Sequence, residues 1–270
     1  MMGKERLDAL LVQRGLAPSR EQAKRLIMAG LVYNGTELVD KPGTQVREDA
    51  ALSVKGALHP FVSRGGLKLE KALRTFAISL SDRVVVDVGA STGGFTDCAL
   101  QHGAALVYSV DVGYGQLAWE LRIDPRVRVM ERVNFRHVSP AEFDPTPDAA
   151  VMDVSFISVA KLFPKLFSVL KSGSPVVTLI KPQFEAGPSL VGKGGIVRDR
   201  VVHESVVKRA IESATQAGFF PRGLTCSPIL GGDGNLEFLL WLQAGGVGET
   251  ADIRVAEVVG EAHERGVSGG

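Results

Sequence analysis

Residues 84–96, VVVDVGASTGGFT, form an apolar strand that runs into a glycine-rich turn and then into the start of a predicted helix. Glycines at such a turn let the backbone approach a ligand closely, and the helix start offers free N–H groups. Dinucleotide-binding enzymes use the same geometry with the fingerprint G-x-G-x-x-G, but here Ser91 replaces the second glycine. This departure argues against NAD. It favours S-adenosylmethionine, which needs no pyrophosphate cradle because it presents a carboxylate and a sulfonium.

On both sides of this turn, short apolar runs alternate with helical stretches such as FISVAKLFPKLFSVL. The runs are RVVVDVG, ALVYSVDVG, RVRVME, DAAVMDVS and SPVVTLIKP. This alternation is typical of a Rossmann-like α/β fold, in which helices cover both faces of a parallel sheet. FFPRGLTCS and NLEFLLWLQ follow a helix that ends at Gly218, and they predict a hairpin-like edge. From Gly245 onward we expect a weakly ordered tail or a loosely packed helix.

Two polar residues near later strand ends strengthen the cofactor prediction. Asp111 lies in SVDVG, where a carboxylate can accept hydrogen bonds from both ribose hydroxyls, and Asn134 falls at the third strand end, where the adenine edge is usually read. A purely structural turn is the alternative interpretation of the glycines. The predicted cofactor-binding residues are Asp87, Gly89, Ala90, Ser91, Thr92, Gly93, Gly94, Phe95, Asp111 and Asn134.

Three charged residues lie at or near strand ends, which is where open α/β sheets bind ligands. Asp153 closes DAAVMD, Lys181 closes VVTLIK, and Glu237 lies in the apolar run NLEFLLWL. Such side chains are rarely buried unless they are paired. Each of them taken alone is compatible with a structural ion pair. Together with the cofactor turn, they favour a catalytic site.

This set of residues suits ribose methylation. A 2′-hydroxyl is a weak nucleophile and needs a base within hydrogen-bond reach. A lysine can be that base where a second cation and partial burial lower its pKa. Lys68, at the start of a predicted helix, is the candidate second cation, and Asp153 and Glu237 would orient the ammonium groups.

The N-terminal 59 residues predict a small α+β module. Leucines at positions 7, 10 and 11 indicate an amphipathic helix, Ser19 and Gln22 form a capping-box pattern for a second helix, and Asn34-Gly35 indicates a tight hairpin. QVREDAALSV predicts one further strand. Several cations share this module, which favours RNA as its partner. The predicted RNA contacts here and in the following linker are Arg6, Arg14, Arg20, Lys24, Arg25, Lys41 and Arg64.

Composition limits the class of protein. The 270 residues are 45% hydrophobic with a formal net charge of +1, so a packed core is expected and the total charge says nothing about nucleic acid. No apolar run reaches the roughly 20 residues that span a bilayer, and the N-terminus carries charges where a signal peptide would be apolar. We therefore expect a soluble cytoplasmic protein. The two cysteines, Cys98 and Cys226, form neither a metal-binding pattern nor a disulfide framework.

Longer motifs resemble two known families. RLDALLVQRGLAPSREQAKRLIMAGLVYNG resembles the RNA-binding domain of small-subunit ribosomal protein four. VDVGASTGGFTDCAL, VMDVSFIS, LIKPQFE and NLEFLLWL resemble the FtsJ-like ribose 2′-O-methyltransferases. Their order and combination, over about residues 4–243, resemble the TlyA family. One departure is Ala57-Leu58-His59-Pro60, where family members can carry an Arg- and Trp-containing tetrapeptide.

The resemblance implies a fold, a site and a substrate. The domains would be an RNA-binding domain at 1–59, a linker at 60–66, a methyltransferase domain at 67–245 and a tail at 246–270. A catalytic tetrad would consist of Lys68, Asp153, Lys181 and Glu237, with Lys181 as the general base. The reaction would transfer a methyl group from S-adenosylmethionine to a cytidine 2′-hydroxyl in ribosomal RNA of assembled subunits.

Further RNA contacts are predicted near the site. Phe156 either stacks on an extruded base or packs under the following helix. Arg132 and Arg136 flank Asn134 and either hold phosphates or are solvated charges, and Lys193 lies in the predicted flap GKGGIVRD. Three other functions are weighed against this one: a membrane-damaging hemolysin, after the family's old name, an RNA-binding protein without activity, and a small-molecule methyltransferase.

Overall fold

The chain divides into two compact units, Met1–Arg64 and Gly65–Gly270, in a computed structural model that describes residues 3–28, 30–55, 59–231, 234–246 and 251–267. The predicted linker, residues 60–66, overlaps the second unit, because Gly65 and Gly66 already form the first turn of a helix. Ala57 and Leu58 of the departing tetrapeptide lie outside the described residues.

The first unit contains two helices and five short strands in its described part. The helices are α1 (Leu7–Gln13) and α2 (Arg20–Met28), and the strands are β1 (Lys4–Arg6), β2 (Val32–Asn34), β3 (Glu37–Leu38), β4 (Gln45–Arg47) and β5 (Leu52–Val54). Strand β2 pairs antiparallel with both β3 and β5, and β1 pairs antiparallel with β4. Leucine and isoleucine side chains from the two helices form its core, with Leu7, Leu11 and Ile27 fully buried.

The predicted hairpin is present, but the prediction of one strand over QVREDAALSV was wrong. Asn34 pairs with Glu37, which leaves Gly35 and Thr36 as the hairpin turn, and Gly35 has a φ of +62°. The later segment forms two strands, β4 and β5, which join different sheets. Between them the Arg14 guanidinium donates hydrogen bonds to the backbone carbonyls of Glu48 and Ala50. Sequence patterning could not reveal this long-range contact, which stabilises a turn in the middle of the segment.

The second unit is built on a seven-stranded mixed sheet. Its strands are β6 (Val84–Val88), β7 (Leu106–Val110), β8 (Val127–Met130), β9 (Ala149–Met152), β10 (Ser174–Ile180), β11 (Phe219–Cys226) and β12 (Phe238–Ala244), in the order β11-β12-β10-β9-β6-β7-β8. Strands β6 to β10 run parallel, whereas β12 is antiparallel to both β10 and β11. The Rossmann-like fold class is therefore confirmed. The predicted hairpin is also present, with β11 at the edge and β12 inside the sheet.

Helices surround this sheet. The α-helices are α3 (Gly65–Phe76), α4 (Gly94–Gln101), α5 (Trp119–Arg122), α6 (Phe163–Val169), α7 (Pro182–Glu185), α8 (Arg200–Gln216) and α9 (Val255–Val267). Short 3-10 helices cover Phe135–His137, Pro140–Glu142, Val159–Lys161, Pro188–Leu190 and Lys193–Gly195. The helical stretch predicted from FISVAKLFPKLFSVL is thus a 3-10 turn followed by α6. Among the described residues, no helix is both long and apolar enough to cross a membrane.

The position of β6 in the sheet determines where a ligand can bind. Strands β7 and β8 lie on one side of β6, and β9 and β10 lie on the other. The order of the strands therefore reverses direction at β6. Open α/β sheets bind ligands in the crevice outside the carboxyl ends of strands at such a switch point. The glycine-rich turn, which follows β6, opens into this crevice.

The C-terminal segment is better packed than the sequence suggested. We expected a weakly ordered tail or a loosely packed helix, but Val255, Val259 and Ala262 of α9 are buried in the main core. Helix α9 contacts α8 and β11, which places an apolar stripe of α9 against the sheet. The 3.6-residue spacing of these side chains is present in the sequence, although polar neighbours obscure it.

The packing of α9 yields a stability prediction. Val259 is fully buried, so Val259→Ala removes buried methyl groups and leaves a cavity, and we expect a loss of about 2 kcal/mol in the free energy of unfolding. Glu257→Ala on the exposed side of the same helix is the control and should change it by less than about 0.5 kcal/mol. Denaturant unfolding followed by tryptophan fluorescence measures both, since Trp119 and Trp241 belong to the second unit. Equal stability of the two variants would show that α9 is not part of the core.

A histidine pair between α8 and α9 yields a pH prediction. Nδ1 of His203 lies 2.9 Å from Nε2 of His263, and burial, followed by the neighbouring His263, lowers the pKa of His203 to about 4. The unfolded chain therefore binds a proton near pH 6.5 that the folded chain does not, so stability falls as the pH drops from 6.5 to 4, by at most about 3 kcal/mol. In His203→Gln the pH dependence of the unfolding free energy should weaken over this range, whereas exposed His137→Gln should leave it unchanged.

Candidate active site

A cavity of about 510 Å³ opens at the carboxyl ends of β6, β7 and β9. Of the predicted cofactor residues, Gly89, Ser91, Asp111 and Asn134 line it. Valine, isoleucine and phenylalanine side chains supply apolar walls, and a small number of polar groups converge on them. This composition is typical of a pocket for a small organic ligand.

Gly89 is the glycine of the turn whose lack of a side chain matters most. Its φ is +86°, and a Cβ at this position would lie 2.5 Å from the backbone carbonyl oxygen of Asp153. No other residue type can adopt this conformation so close to a neighbouring strand without a shift of the backbone. Gly89 therefore lets the end of β6 approach the end of β9.

Asp111 is held in a fixed orientation by the turns on either side of it. Its Oδ2 accepts a hydrogen bond from the backbone N–H of Ser91 at 2.8 Å, and its Oδ1 accepts one from the N–H of Gly113 at 2.7 Å. Asn134 also lies at the cavity, and its Oδ1 accepts a hydrogen bond from the N–H of Arg136 at 3.1 Å. Carboxylate and amide groups held in this way can read a ribose and a base edge.

The remaining predicted cofactor residues have other positions. Asp87 is fully buried in β6, where its Oδ2 accepts a hydrogen bond from the Thr96 hydroxyl at 2.7 Å. Burial raises the pKa of this carboxyl to about 7, although the bond from Thr96 opposes the shift. The other residues of the turn form its backbone or its packing against α5 and do not line the cavity: Ala90, Thr92, Gly93, Gly94 and Phe95.

The cavity also contains residues that sequence reasoning did not name. Val112 and Gly113 directly follow Asp111, and Ser155 and Ile157 lie two and four residues after Asp153. Their proximity to predicted strand ends was the available signal. Gln116, in contrast, is brought to the cavity by the loop that precedes α5, and no local pattern indicates this.

The four residues of the predicted tetrad form two ion pairs. Nζ of Lys181 lies 2.6 Å from Oδ1 of Asp153, and Nζ of Lys68 lies 2.6 Å from Oε2 of Glu237. The side chains are 12% and 18% exposed in the first pair and 10% and 2% exposed in the second. The two pairs are neighbours, because Asp153 and Lys181 both act electrostatically on the Glu237 carboxyl.

Three sheet strands and one helix place these groups. Asp153 directly follows β9 and Lys181 directly follows β10. Ile180 pairs with Phe238 in the antiparallel register of β10 and β12, so Glu237 stands beside the end of β10. Lys68 comes from α3. Burial raises the pKa of Glu237, and the adjacent Lys68 ammonium opposes that shift.

Ser155 and Phe156 extend the site beyond the tetrad. The Lys181 ammonium donates a hydrogen bond to Oγ of Ser155 at 2.9 Å. Phe156 is 91% exposed with a φ of +63°, and its ring centroid lies 5.0 Å from that of Phe184. Since Phe156 faces solvent, it does not pack under the following helix, which was the alternative expectation.

The predicted RNA contacts of the first unit include several groups with structural partners. Arg6 and Arg20 both bind the fully buried Asp8, at 3.0 and 3.1 Å, and the hydrogen bond from Arg6 is the main cause of the lowered pKa of this carboxyl. Their side chains remain 47% and 58% exposed. Arg14 holds the turn after β4, and Arg25 donates to the Phe61 carbonyl at 3.4 Å. The side chains of Lys24, Lys41 and Arg64 are exposed.

In the second unit, Arg136 lines the cavity and Arg132 lies close to it. The Arg132 guanidinium stacks on the Tyr114 ring, 4.1 Å from the ring centroid, and both side chains are exposed. Lys193 is exposed in a 3-10 helix of the GKGGIVRD segment. The structure therefore places Arg132 and Arg136 near the cofactor cavity, together with Phe156.

The cavity fits S-adenosylmethionine. The fixed Asp111 carboxylate suits ribose hydroxyls, the apolar walls suit an adenine ring, and Gly89 keeps the turn free of side chains where it meets β9. Gly89, Ser91, Asp111 and Asn134 would hold the cofactor. Among the described residues, no cluster of His, Cys, Asp and Glu side chains could hold a metal ion.

Comparison with known proteins identifies both units. The FtsJ-like methyltransferase family model matches residues 61–244, and the S4 domain model matches residues 5–52. YqxC of Bacillus subtilis, provisionally named an rRNA methyltransferase, is 55% identical over 97% of this chain and 95% of its own. TlyA of Mycobacterium tuberculosis, named a 16S/23S rRNA (cytidine-2′-O)-methyltransferase, is 46% identical over 90% of this chain and 91% of its own.

A solved structure agrees over almost the whole length. The Streptococcus thermophilus protein, provisionally named a hemolysin, shares 48% identity, covers 99% of this chain and 98% of its own, and superposes with a TM-score of 0.79. The name hemolysin belongs to the S. thermophilus protein. In the chain described here, the family models match a methyltransferase domain and an S4 domain. This chain is therefore similar to TlyA over 90% of its length, belongs to the FtsJ-like methyltransferase family, uses S-adenosylmethionine and carries an N-terminal S4 domain.

Proposed function

We propose that this enzyme methylates the ribose 2′-hydroxyl of a cytidine in ribosomal RNA, within assembled ribosomal subunits in the cytoplasm. The observation that carries the proposal is the pair of adjacent, nearly buried ion pairs, Lys181–Asp153 and Lys68–Glu237, beside the cofactor cavity. The S4 domain supports an RNA substrate, and the name of the M. tuberculosis relative supports the cytidine and the ribosomal context.

Buried ion pairs of this kind need a reason to be retained. Removing charges from water costs several kcal/mol per ion, and apolar replacements are often neutral or stabilising. Their location at the carboxyl ends of the central strands, next to a cavity that suits S-adenosylmethionine, indicates a catalytic role. A small-molecule methyltransferase would leave the S4 domain without a function.

The proposed mechanism assigns the proton to Lys181. S-adenosylmethionine supplies an electrophilic methyl group bound to a sulfonium. Asp153 and Ser155 hold the amine of Lys181 at the mouth of the cavity. Neutral Lys181, its own proton first released to solvent, would accept the proton of the 2′-hydroxyl as the oxygen bonds to the methyl carbon and the carbon–sulfur bond breaks, its electron pair returning to sulfur. Lys68, held by Glu237 at 2.6 Å, provides a second positive charge beside the site.

The target nucleotide must leave its base stack before its ribose can reach Lys181. Phe156 is exposed next to Ser155 and can stack on the extruded base. Arg132 and Arg136 can bind flanking phosphates, since both are exposed near the cavity. Lys193, the exposed S4-domain lysines Lys24 and Lys41, and Arg64 of the linker would contact more distant phosphates.

Loss of the proposed base should slow the reaction by several orders of magnitude. We expect Lys181→Ala to lower kcat by about 10²- to 10⁴-fold while the affinity for S-adenosylmethionine changes little, because Lys181 does not line the cofactor cavity. The assay uses radiolabelled cofactor with unmodified ribosomal subunits, followed by digestion and identification of the methylated nucleoside. Lys208→Ala, an exposed lysine on α8, is the control. A large loss of cofactor affinity in Lys181→Ala would contradict the assignment.

Charge reversal on the S4 domain tests its role in RNA binding. Arg6→Glu with Arg20→Glu would leave the buried Asp8 without either partner and would also destabilise the domain. Lys24→Glu with Lys41→Glu avoids this problem, because both side chains are exposed. We expect the second pair to weaken subunit binding and to reduce the dependence of log K on log salt, with cofactor affinity unchanged. Unaltered subunit affinity would remove these lysines from the RNA contact.

A further inference from the structure

A short turn after β10 holds the loop after β9 at two points. Residues 181–185, called here the 181–185 turn, consist of Lys181 and the four residues of α7. Residues 153–158, called here the 153–158 loop, join β9 to the 3-10 helix Val159–Lys161. The loop carries Asp153, Ser155 and Phe156, and so contains much of the site described above.

The start of the 181–185 turn contacts the start of the 153–158 loop, and the end of the turn contacts the end of the loop. At one end Lys181 binds Asp153 at 2.6 Å and Ser155 at 2.9 Å. At the other end the Glu185 carboxylate accepts a hydrogen bond from the Ser158 hydroxyl at 2.6 Å and another from the Val159 N–H at 2.7 Å. The Phe184 and Phe156 rings meet between these two ends, 5.0 Å apart.

The middle of the loop has an unfavourable conformation. Phe156 has a φ of +63°, in the left-handed region that side chains of its size rarely adopt, and its ring is 91% exposed. Such a conformation costs of the order of 1–3 kcal/mol and persists only where the surroundings impose it. An exposed ring cannot provide that constraint through burial. The contacts at the two ends of the loop therefore share this constraint with the packing of Val154 and Ile157 against the core.

The 181–185 turn is itself attached to the scaffold. Arg209 of α8 donates a hydrogen bond to the backbone carbonyl of Glu185 at 3.1 Å. Helix α8 has 17 residues and buries Val206, Val207 and Ala210 in the main core. Glu185 thus connects a rigid helix to a loop whose own core contacts come from the partly buried Val154 and Ile157.

We propose that Glu185 is a positioning residue for methyl transfer. Through Ser158 and Val159 it fixes the far end of the 153–158 loop, so that Ser155 remains on the Lys181 amine and Phe156 remains where the target base stacks. This inference rests on the proposed function. It assigns a catalytic consequence to a carboxylate that touches neither the cofactor cavity nor the tetrad.

Substitutions at Glu185 test the proposal by separating kcat from binding. Glu185→Ala removes both hydrogen-bond acceptors, and we expect kcat to fall about 10- to 100-fold, since a misplacement of about 1 Å can cost 10²-fold. KM for ribosomal subunits and affinity for S-adenosylmethionine should stay within about twofold. Glu185→Gln keeps an acceptor for the Val159 N–H and should recover most of the lost kcat. Ser158→Ala should lower kcat less, and should add nothing in the Glu185→Ala background.

Hydrogen–deuterium exchange provides a readout that needs no substrate. In the free enzyme, peptides that span residues 153–160 should exchange faster in Glu185→Ala than in the wild type. Glu212→Ala, an exposed carboxylate on α8, should match the wild type in exchange and in kcat. Unchanged exchange in Glu185→Ala would overturn the positioning role, whatever the substrate proves to be.

The remaining outcomes separate this inference from the proposed function. A wild-type kcat in Glu185→Ala would overturn the positioning role, while 2′-O-methylcytidine would still be formed. Equal losses of melting temperature, cofactor affinity and kcat in Glu185→Ala and Glu185→Gln would show a merely structural carboxylate and would also overturn it. If the wild type forms no 2′-O-methylcytidine, the proposed function fails, and the exchange measurement alone decides whether Glu185 holds the loop.

Discussion

The close approach of β6 to β9 at their carboxyl ends determines the geometry of the whole site. Gly89 lies against the Asp153 carbonyl, and the Asp153 N–H donates a hydrogen bond to the Val88 carbonyl at 3.0 Å. The cofactor turn follows the first strand, and Asp153, which we propose to be part of the catalytic tetrad, follows the second. Because the two strands are neighbours in the parallel sheet, the cofactor turn lies beside Asp153, the carboxylate that holds the proposed base Lys181. A side chain at position 89 would separate them.

The antiparallel strand β12 adds a third charged residue to the two that follow the parallel strands β9 and β10. At the ligand-binding edge of a parallel sheet, every strand ends. A neighbouring strand that runs antiparallel begins at this edge instead. Glu237 occupies that beginning and stands beside the end of β10. The fourth charge, Lys68, then comes from α3 and pairs with Glu237. Four alternating charges can therefore be nearly buried, because each ammonium has a carboxylate within 2.6 Å.

In the proposed function, the two units have different roles in recognising RNA. Phosphate contacts supply affinity and orientation, whereas the reaction needs one ribose in a defined place. The S4 domain carries exposed cations but no part of the tetrad, and some of its arginines serve its own fold through Asp8 and the turn after β4. The second unit carries Arg132, Arg136 and Phe156 near the cofactor cavity. In the proposed function, binding of the RNA and placement of the target nucleotide are thus assigned to different surfaces.

Local sequence patterns determined the elements and most of the charged residues of the site. The alternation of apolar runs predicted the parallel strands, and the glycine-rich turn predicted the cofactor cavity. Lys181 and Asp153 were predicted because a charged residue that ends an apolar strand needs a partner. The division of QVREDAALSV into two strands was not predicted, because it depends on Arg14, more than thirty residues away.

Only the tertiary structure decided which side chains meet. Asp87 and Asp111 both belong to strand ends in sequence, yet packing buries the first under Thr96 and places the second in the cavity. The pairing of Lys68 with Glu237 joins residues separated by most of the second unit. The hydrogen bond from Ser158 to Glu185 depends on the register in which β9 and β10 pair. Sequence periodicity reports which face of an element is apolar, whereas contacts between elements depend on strand order and register, which arise only when the whole sheet assembles.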